Sequence, residues 1–370
     1  MLTGEKIAYI ADKIVVPTEG FAPVKVIDAE GMYIMPGFID GHVHIIGGGG
    51  EGGYKTRTPE LQLTDATLTG VTTVVGLLGT DGTTRTMEAL VAKARALNDE
   101  GITCYIMSGS YQVPVRTLTG KMEDDLLLID LVIGAGEIAI ADHRSSQPTV
   151  EEMAKIASAA RIGGMLSGKA GIVTIHVGDG DDQLDILEKV TADTNIPIKQ
   201  FYPTHLNRNA DLFQRAIEFG KRGGYIDLTT STTPKFLEEG EVKCSTALKI
   251  LLDNEVNSDH ITFTSDGQAS LPDFNEDGEL IGLKVGKVST IFKEVRDAIL
   301  HEAIPIELAI KVITENPARI LKLPHKGNIE VGKDADLVLI DKKTFTINTL
   351  FAKGALMVQN GQAIRKGTFE

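Results

Sequence analysis

Short apolar runs rich in Val, Ile and Thr alternate along the chain with longer stretches that mix apolar and charged residues at helical spacing. The runs end near His44, Thr80 (TTVVGLLGT), Ser110 (TCYIMSGS), Arg144 (IAIADHR), Gly178 (GIVTIHVG), His205 (FYPTH), Thr230 (YIDLTT) and Asp266 (ITFTSD). Amphipathic helices are expected at Thr84 to Glu100, Val150 to Arg161, Ala210 to Lys221, Ser245 to Asn254 and Ser289 to Ala303. A buried strand followed by a crossover helix, repeated eight times, predicts an α/β fold, a (β/α)8 TIM-type barrel. In that fold catalytic side chains project from the C-terminal ends of the strands, and most of the unusual polar residues of this chain fall there.

The two ends of the chain read differently. Residues 1–33 and 328–370 carry short strand-like runs (KIAYIA, VKVIDA, ADLVLID, LMVQNGQAI) set between Gly, Asp and Lys turns. Neither end has enough strands to bury a face by itself, so both are expected to contribute to one small β-sandwich domain flanking a barrel of residues 34–327.

Composition changes this picture little, but charge and cysteine usage narrow it. A net charge of −14 argues against nucleic acid as partner, because neutralising phosphates requires a basic surface. An anionic substrate would have to be drawn in by local arginines. Cys104 and Cys244 are far apart and show no CxxC spacing, so neither a disulfide framework nor a thiolate zinc site is expected. No run approaches the roughly 18 apolar residues of a membrane span, and MLTGEKIAYIADK carries no apolar signal segment. A cytoplasmic protein without a membrane partner is expected.

The candidate chemistry begins with His42 and His44, two apart at the end of the first strand and therefore able to point to the same side. Four more potential ligands stand on later strands: Glu137, His176 (VTIHVGD), His205 (YPTHLNRN) and Asp266 (TFTSDG). Imidazoles and carboxylates in this ratio suit zinc or a similar divalent ion, and two ions would need a bridging oxygen donor that a carboxylate can supply. Two clustered cations would make hydroxide available near neutral pH, with Asp266 placed to shuttle its proton. His143, His260, His301 and His325 are read as structural.

With these residues in place the chain resembles the amidohydrolase superfamily, and within it the isoaspartyl dipeptidase family. PGFIDGHVHIIGGGGEGG with TRTPE, GVTTVVGLLGT, SGSYQVPVRTLTG, ADHRSS, HVGDG, PTHLNRN, TSDG and KGTFE carry the resemblance over nearly the whole chain. It implies a metal-dependent hydrolase that cleaves the β-aspartyl amide bond of dipeptides bearing a free N-terminal isoaspartyl residue. Two divalent ions are implied, one held by His42, His44 and Asp266 and the other by His176 and His205. A hydroxide and Glu137 would bridge them; the family usually has a carbamylated lysine on the fourth strand where this chain has Glu137. The same carboxylate chemistry then sits on a shorter arm, with Gly134, Ala135 and Gly136 as a turn that brings the backbone closer.

The resemblance further implies that Tyr111 hydrogen-bonds the carbonyl oxygen under attack. Glu51 would take the substrate's free α-amino group, assisted by Gly49, Thr80 and Ser270, and Arg144 and Arg208 would hold its carboxylates. It implies a homo-oligomer, an octamer among the options. The chain begins close to GEKIAYIA where the family carries further strands, an edge that a neighbouring subunit would cover. The alternatives are a cyclic-amide hydrolase of the dihydroorotase or hydantoinase type and a catalytically silent homologue serving as a binding subunit.

Overall fold

Each of the eight apolar runs forms a parallel strand in the computed structural model, which describes residues 1–16, 20, 23–274 and 280–370. In chain order these are β1 (Phe38–Val43), β2 (Val71–Gly76), β3 (Thr103–Ser108), β4 (Val132–Ile140), β5 (Ile172–Val177), β6 (Phe201–Thr204), β7 (Ile226–Thr229) and β8 (Ile261–Thr264). Every residue in them is buried, as expected of parallel strands covered on both faces, apart from Tyr105, which is half-buried. β1 to β6 pair in sequence and β7 pairs with β8. The ring closes where Leu206 N donates to Asp227 O (3.3 Å) and where His44 N donates to Gly267 O (2.8 Å). A (β/α)8 barrel results.

The interior is packed by Ile39, Val75, Leu77, Met107, Ile133 and Tyr202, against which Ile320 and Leu321 of a late helical segment seat. This fills the barrel below its C-terminal mouth. The expected helices are present at Met87–Glu100, Val150–Ser167, Ala210–Lys221, Cys244–Asp253 and Thr290–Leu300. Their ends follow local chemistry. Thr86 and Asn209 cap the first and third by accepting from Ala89 N and Leu212 N, and Thr149 with Glu152 forms a capping box on the second. That second helix runs beyond the expected Arg161 to Ser167, where the left-handed Gly168 caps it.

Both ends of the chain build the flanking β-sandwich module. Met32–Pro36 pairs antiparallel with Leu337–Asp341, which continues through Ile347–Ala352 and Ala355–Gln359 to Gln362–Ala363. The hairpin Leu2–Thr3 with Lys6–Ile7 lies alongside, through the bridge from Lys6 to Asp334. VKVIDA does not form a strand: its alternation fits one, but Val24 and Val26 stay exposed and no ladder partner reaches them among the described residues. Cys104 and Cys244 are both buried and unpaired. Among the described residues no helix is long and apolar enough to cross a membrane.

One buried cation joins the module to the barrel. Lys326 Nζ lies 2.6 Å from Asp336, 2.8 Å from Asp334 and 2.7 Å from the Thr103 hydroxyl at the start of β3. Removing one partner of a buried ion cluster strands the others without compensation. Lys326→Met should therefore lower the unfolding free energy by roughly 3–5 kcal/mol, read from the denaturant midpoint; an unchanged midpoint would show that the clamp is not a fastening.

Candidate active site

The strand ends bring all six expected ligands together. His42 Nε2 lies 3.3 Å from Glu137 Oε2 and 3.5 Å from Asp266 Oδ1. His44 Nε2 lies 3.4 Å from Glu137 Oε1 and 3.1 Å from Asp266 Oδ1. His176 Nδ1 and His205 Nε2 reach Glu137 Oε2 at 3.4 and 3.9 Å. Glu137 thus stands at the centre, each oxygen facing different imidazoles. Two groups of ligand atoms gather within 4.8 Å: His42, His44 and Asp266, and His42, Glu137 and His205. His42 belongs to both, whereas His176 belongs to neither group and meets the cage at Glu137 and at the His205 ring, 4.6 Å between centroids.

Several backbone features aim these side chains. In β4 the pairing advances from Ala135 to Ile138 while β5 advances from Val173 to Ile175, so one extra residue is accommodated at Gly136 and Glu137. This is a bulge within the strand, not the turn expected from the sequence, and a bulge re-aims the side chain it carries. Gly136 has φ +130°, and a Cβ there would lie 2.5 Å from Thr174 O, so only glycine fits. His205 and Asp266 also adopt left-handed conformations, φ 66° and 52°, which cost non-glycine residues about 1–3 kcal/mol where the surroundings enforce them.

The donor set fits a divalent cation. Glu137 Oε1 and Oε2, Asp266 Oδ1, His42 Nδ1 and Nε2 and His44 Nδ1 are buried with no hydrogen-bond partner, a costly arrangement for polar atoms. Ligand atoms at zinc distances in a tetrahedron lie about 3.3 Å apart, close to the separations above. Burial opposes charge on His42, yet Glu137, Asp266 and Asp227 raise its pKa to about 9. Burial, reinforced by the charge of Arg208, depresses His205 to about 3 although Glu137 pulls the other way. Burial also opposes ionisation of Glu137, but the charge of His42 and the close imidazoles of His176 and His205 hold it well below the usual carboxylate range. A cage of ionised carboxylates and imidazoles results, in which His42 gives up its proton when a cation enters.

A cavity opens over this cage and takes in the expected substrate residues Gly49, Glu51, Thr80, Tyr111, Arg144, Arg208 and Ser270. Glu51 accepts from Ser270 Oγ (3.0 Å) and from Arg144 Nη1 (3.3 Å). Gly49, at φ +74°, leaves no room for a side chain, since a Cβ would lie 2.6 Å from Thr56 O. The Tyr111 hydroxyl is 2.8 Å from His176 Nδ1. Burial, with the charge of Glu137, keeps that phenol protonated by pushing its pKa well above the usual value. Arg208 lines the cavity with a buried, unpartnered Nε. Its neighbour Asn207 ties two loops together by donating to Thr229 O (3.1 Å) and Val242 O (3.0 Å).

Sequence reasoning overlooked several residues that shape the site. Asp142, just before His143 and Arg144 in the chain, contacts both His176 and Arg144. Thr229 faces His205 Nδ1 at 2.5 Å and turns its Nε2 towards Glu137. Beneath the cage, Asp227 accepts from Thr204, Thr262 and Thr264, each at 2.6 Å, and Asp40 accepts from Ser265. Burial raises these two carboxyls to about 6 and about 7 despite those hydrogen bonds. A polar residue inside an apolar strand run is the signal that could have flagged them.

A barrel whose strand ends gather histidines and carboxylates around a cation-sized gap is the frame of a metal-dependent hydrolase. The chain belongs to the amidohydrolase family, whose model matches residues 33–357, and that superfamily is metal-dependent. It is similar to the β-aspartyl dipeptidase from Fervidobacterium islandicum AW-1 in complex with β-Asp-Leu dipeptide, at 48% identity and a TM-score of 0.86 over 91% of this chain and 88% of that one. A second crystal structure of the F. islandicum AW-1 β-aspartyl dipeptidase is 44% identical, with a TM-score of 0.87 over 98% and 92%. An allantoinase from Deinococcus radiodurans is 24% identical over 98% of this chain and 87% of its own length.

Among the described residues no lysine lines the cavity, so Glu137 is the carboxylate available at the centre of the cage. Zinc uptake by metal-free protein, followed by elemental analysis, should be the same with and without bicarbonate. Glu137→Gln should lose at least one equivalent. Bicarbonate-dependent loading would place the central carboxylate elsewhere.

Proposed function

We propose that this chain hydrolyses the β-aspartyl amide bond of dipeptides with a free N-terminal isoaspartyl residue. The observation that carries the reading is the cage of unpartnered imidazole and carboxylate atoms beside the Glu51, Ser270 and Arg144 cluster, in a chain 48% identical to a β-aspartyl dipeptidase. His42, His44 and Asp266 would hold one divalent ion and His176 and His205 a second, with Glu137 between them, and zinc suits the donors. Such ions, when bound, polarise a carbonyl and lower the pKa of a shared water.

The chain's own groups do the rest. Asp266 Oδ1, which accepts no hydrogen bond, takes a proton from the attacking water and passes it to the leaving nitrogen. Tyr111 turns its hydroxyl from His176 to the carbonyl oxygen as negative charge develops there. Glu51, with Ser270, Gly49 and Thr80 around it, receives the α-ammonium group. Arg144 and Arg208 receive the carboxylates, a task suited to a guanidinium fork. An isoaspartyl unit inside a longer chain has no free amine for Glu51, so dipeptides are favoured.

Exposed apolar side chains on two neighbouring helical segments, Leu128, Met165 and Leu166, support a homo-oligomer. Sedimentation would read its size.

Purified enzyme should cleave β-Asp-Leu and leave α-Asp-Leu and dihydroorotate intact, with metal content measured on the same sample. Turnover of dihydroorotate without cleavage of β-Asp-Leu would replace this reading by the cyclic-amide one. Tyr111→Phe should lower kcat roughly 100-fold with little change in KM; an unaltered kcat would remove the phenol from the reaction.

A further inference from the structure

Asp142 lies two residues beyond the end of β4, and donors occupy both of its oxygens. Oδ2 is 2.9 Å from His176 Nε2 and 2.7 Å from Arg144 Nη2. Oδ1 accepts from Arg144 Nε at 2.9 Å and from the Arg144 backbone N–H at 2.7 Å. Asp142 is the carboxylate of a bidentate ion pair, with Arg144 Nε on one oxygen and Nη2 on the other. It is therefore an ion, and an ionised carboxylate can only accept.

The tautomer of His176 follows. Its proton must sit on Nε2, facing Asp142, which leaves the Nδ1 lone pair pointing at Glu137 Oε2 (3.4 Å) and the Tyr111 hydroxyl (2.8 Å). That tautomer alone can ligate through Nδ1, since a ligating histidine is oriented by the partner of its other nitrogen. The same carboxylate uses up Nε and Nη2 of Arg144. Nη1 is left aimed at Glu51 (3.3 Å), and the guanidinium lies 5.5 Å from the centre of the Tyr111 ring. The fork expected to grip substrate is thus gripped from behind by Asp142.

We infer that Asp142 is a positioning residue that sets the metal-facing nitrogen of His176 and the substrate-facing nitrogen of Arg144 with one carboxylate. The inference rests on the proposed roles of His176 and Arg144. It joins the two halves of the site: a disturbance at Asp142 reaches both, whereas a disturbance at Arg144 reaches only the substrate half.

The test uses the full chain and two readouts. Zinc binding to metal-free protein, measured by competition with a chromophoric chelator, should weaken 10- to 100-fold at one site in Asp142→Asn, and KM for β-Asp-Leu should rise. Arg144→Lys should raise KM while zinc affinity stays within twofold of wild type. Zinc affinity unaltered in a folded Asp142→Asn protein, as judged by its circular dichroism melt, would overturn the inference. Should that variant not fold, 15N-histidine spectra of the metal-free wild type decide: His176 protonated on Nε2 is the expected signature, and protonation on Nδ1 overturns it. Wild type that binds zinc but spares β-Asp-Leu would refute the dipeptidase reading and leave the zinc and tautomer tests of Asp142 intact.

Discussion

Two carboxylates and four imidazoles buried within a few ångströms of one another are tolerable only if positive charge lies between them. Most of the local departures from regular structure around the barrel mouth serve that constraint. The bulge in β4 carries Glu137 inward, the left-handed residues at 205 and 266 present their side chains from strand ends, and Thr229 and Asp142 turn individual imidazoles. In the protein alone, a proton on His42 relieves part of the charge. A divalent cation relieves more of it, so ligand deprotonation and metal uptake are two sides of one equilibrium.

The layer beneath the cage shows how the barrel tolerates acidic groups so close to that charge. Asp227 is surrounded by the hydroxyls of Tyr202, Thr204, Thr262 and Thr264, and Asp40 by Ser265. Both carboxyls are raised by burial towards neutrality. Hydroxyls can donate or accept, so this layer adapts to whichever state the aspartates hold. Below it the interior becomes apolar, from Ile39 and Val75 to Ile320 and Leu321.

Much of this was legible in the chain because strands and ligands both follow short-range rules. Buried parallel strands read as uninterrupted apolar runs, and His42, His44, His176, His205 and Asp266 mark where those runs stop. What was not legible depends on pairing across space. Gly134, Ala135 and Gly136 look like a turn, and only the register against β5 shows a bulge. VKVIDA alternates as a strand should, yet among the described residues it finds no neighbour to complete its ladder. Asp142 directly precedes His143 and Arg144 in sequence, but its meaning comes from His176, 34 residues away.

Glu51 already has a cationic partner in Arg144 before any ligand arrives, and Arg144 shares its charge between Glu51 and Asp142. On the proposed reading, a zwitterion entering the cleft does not meet bare charges; it trades partners with a pair that already exists. A guest bearing only an acid would draw on Arg144 and leave Glu51 without its cation at a partly buried position, while Arg144 keeps Asp142 throughout. Discrimination then arises from the resting state of the receptor itself, which opens fully only to a molecule able to match both signs at once.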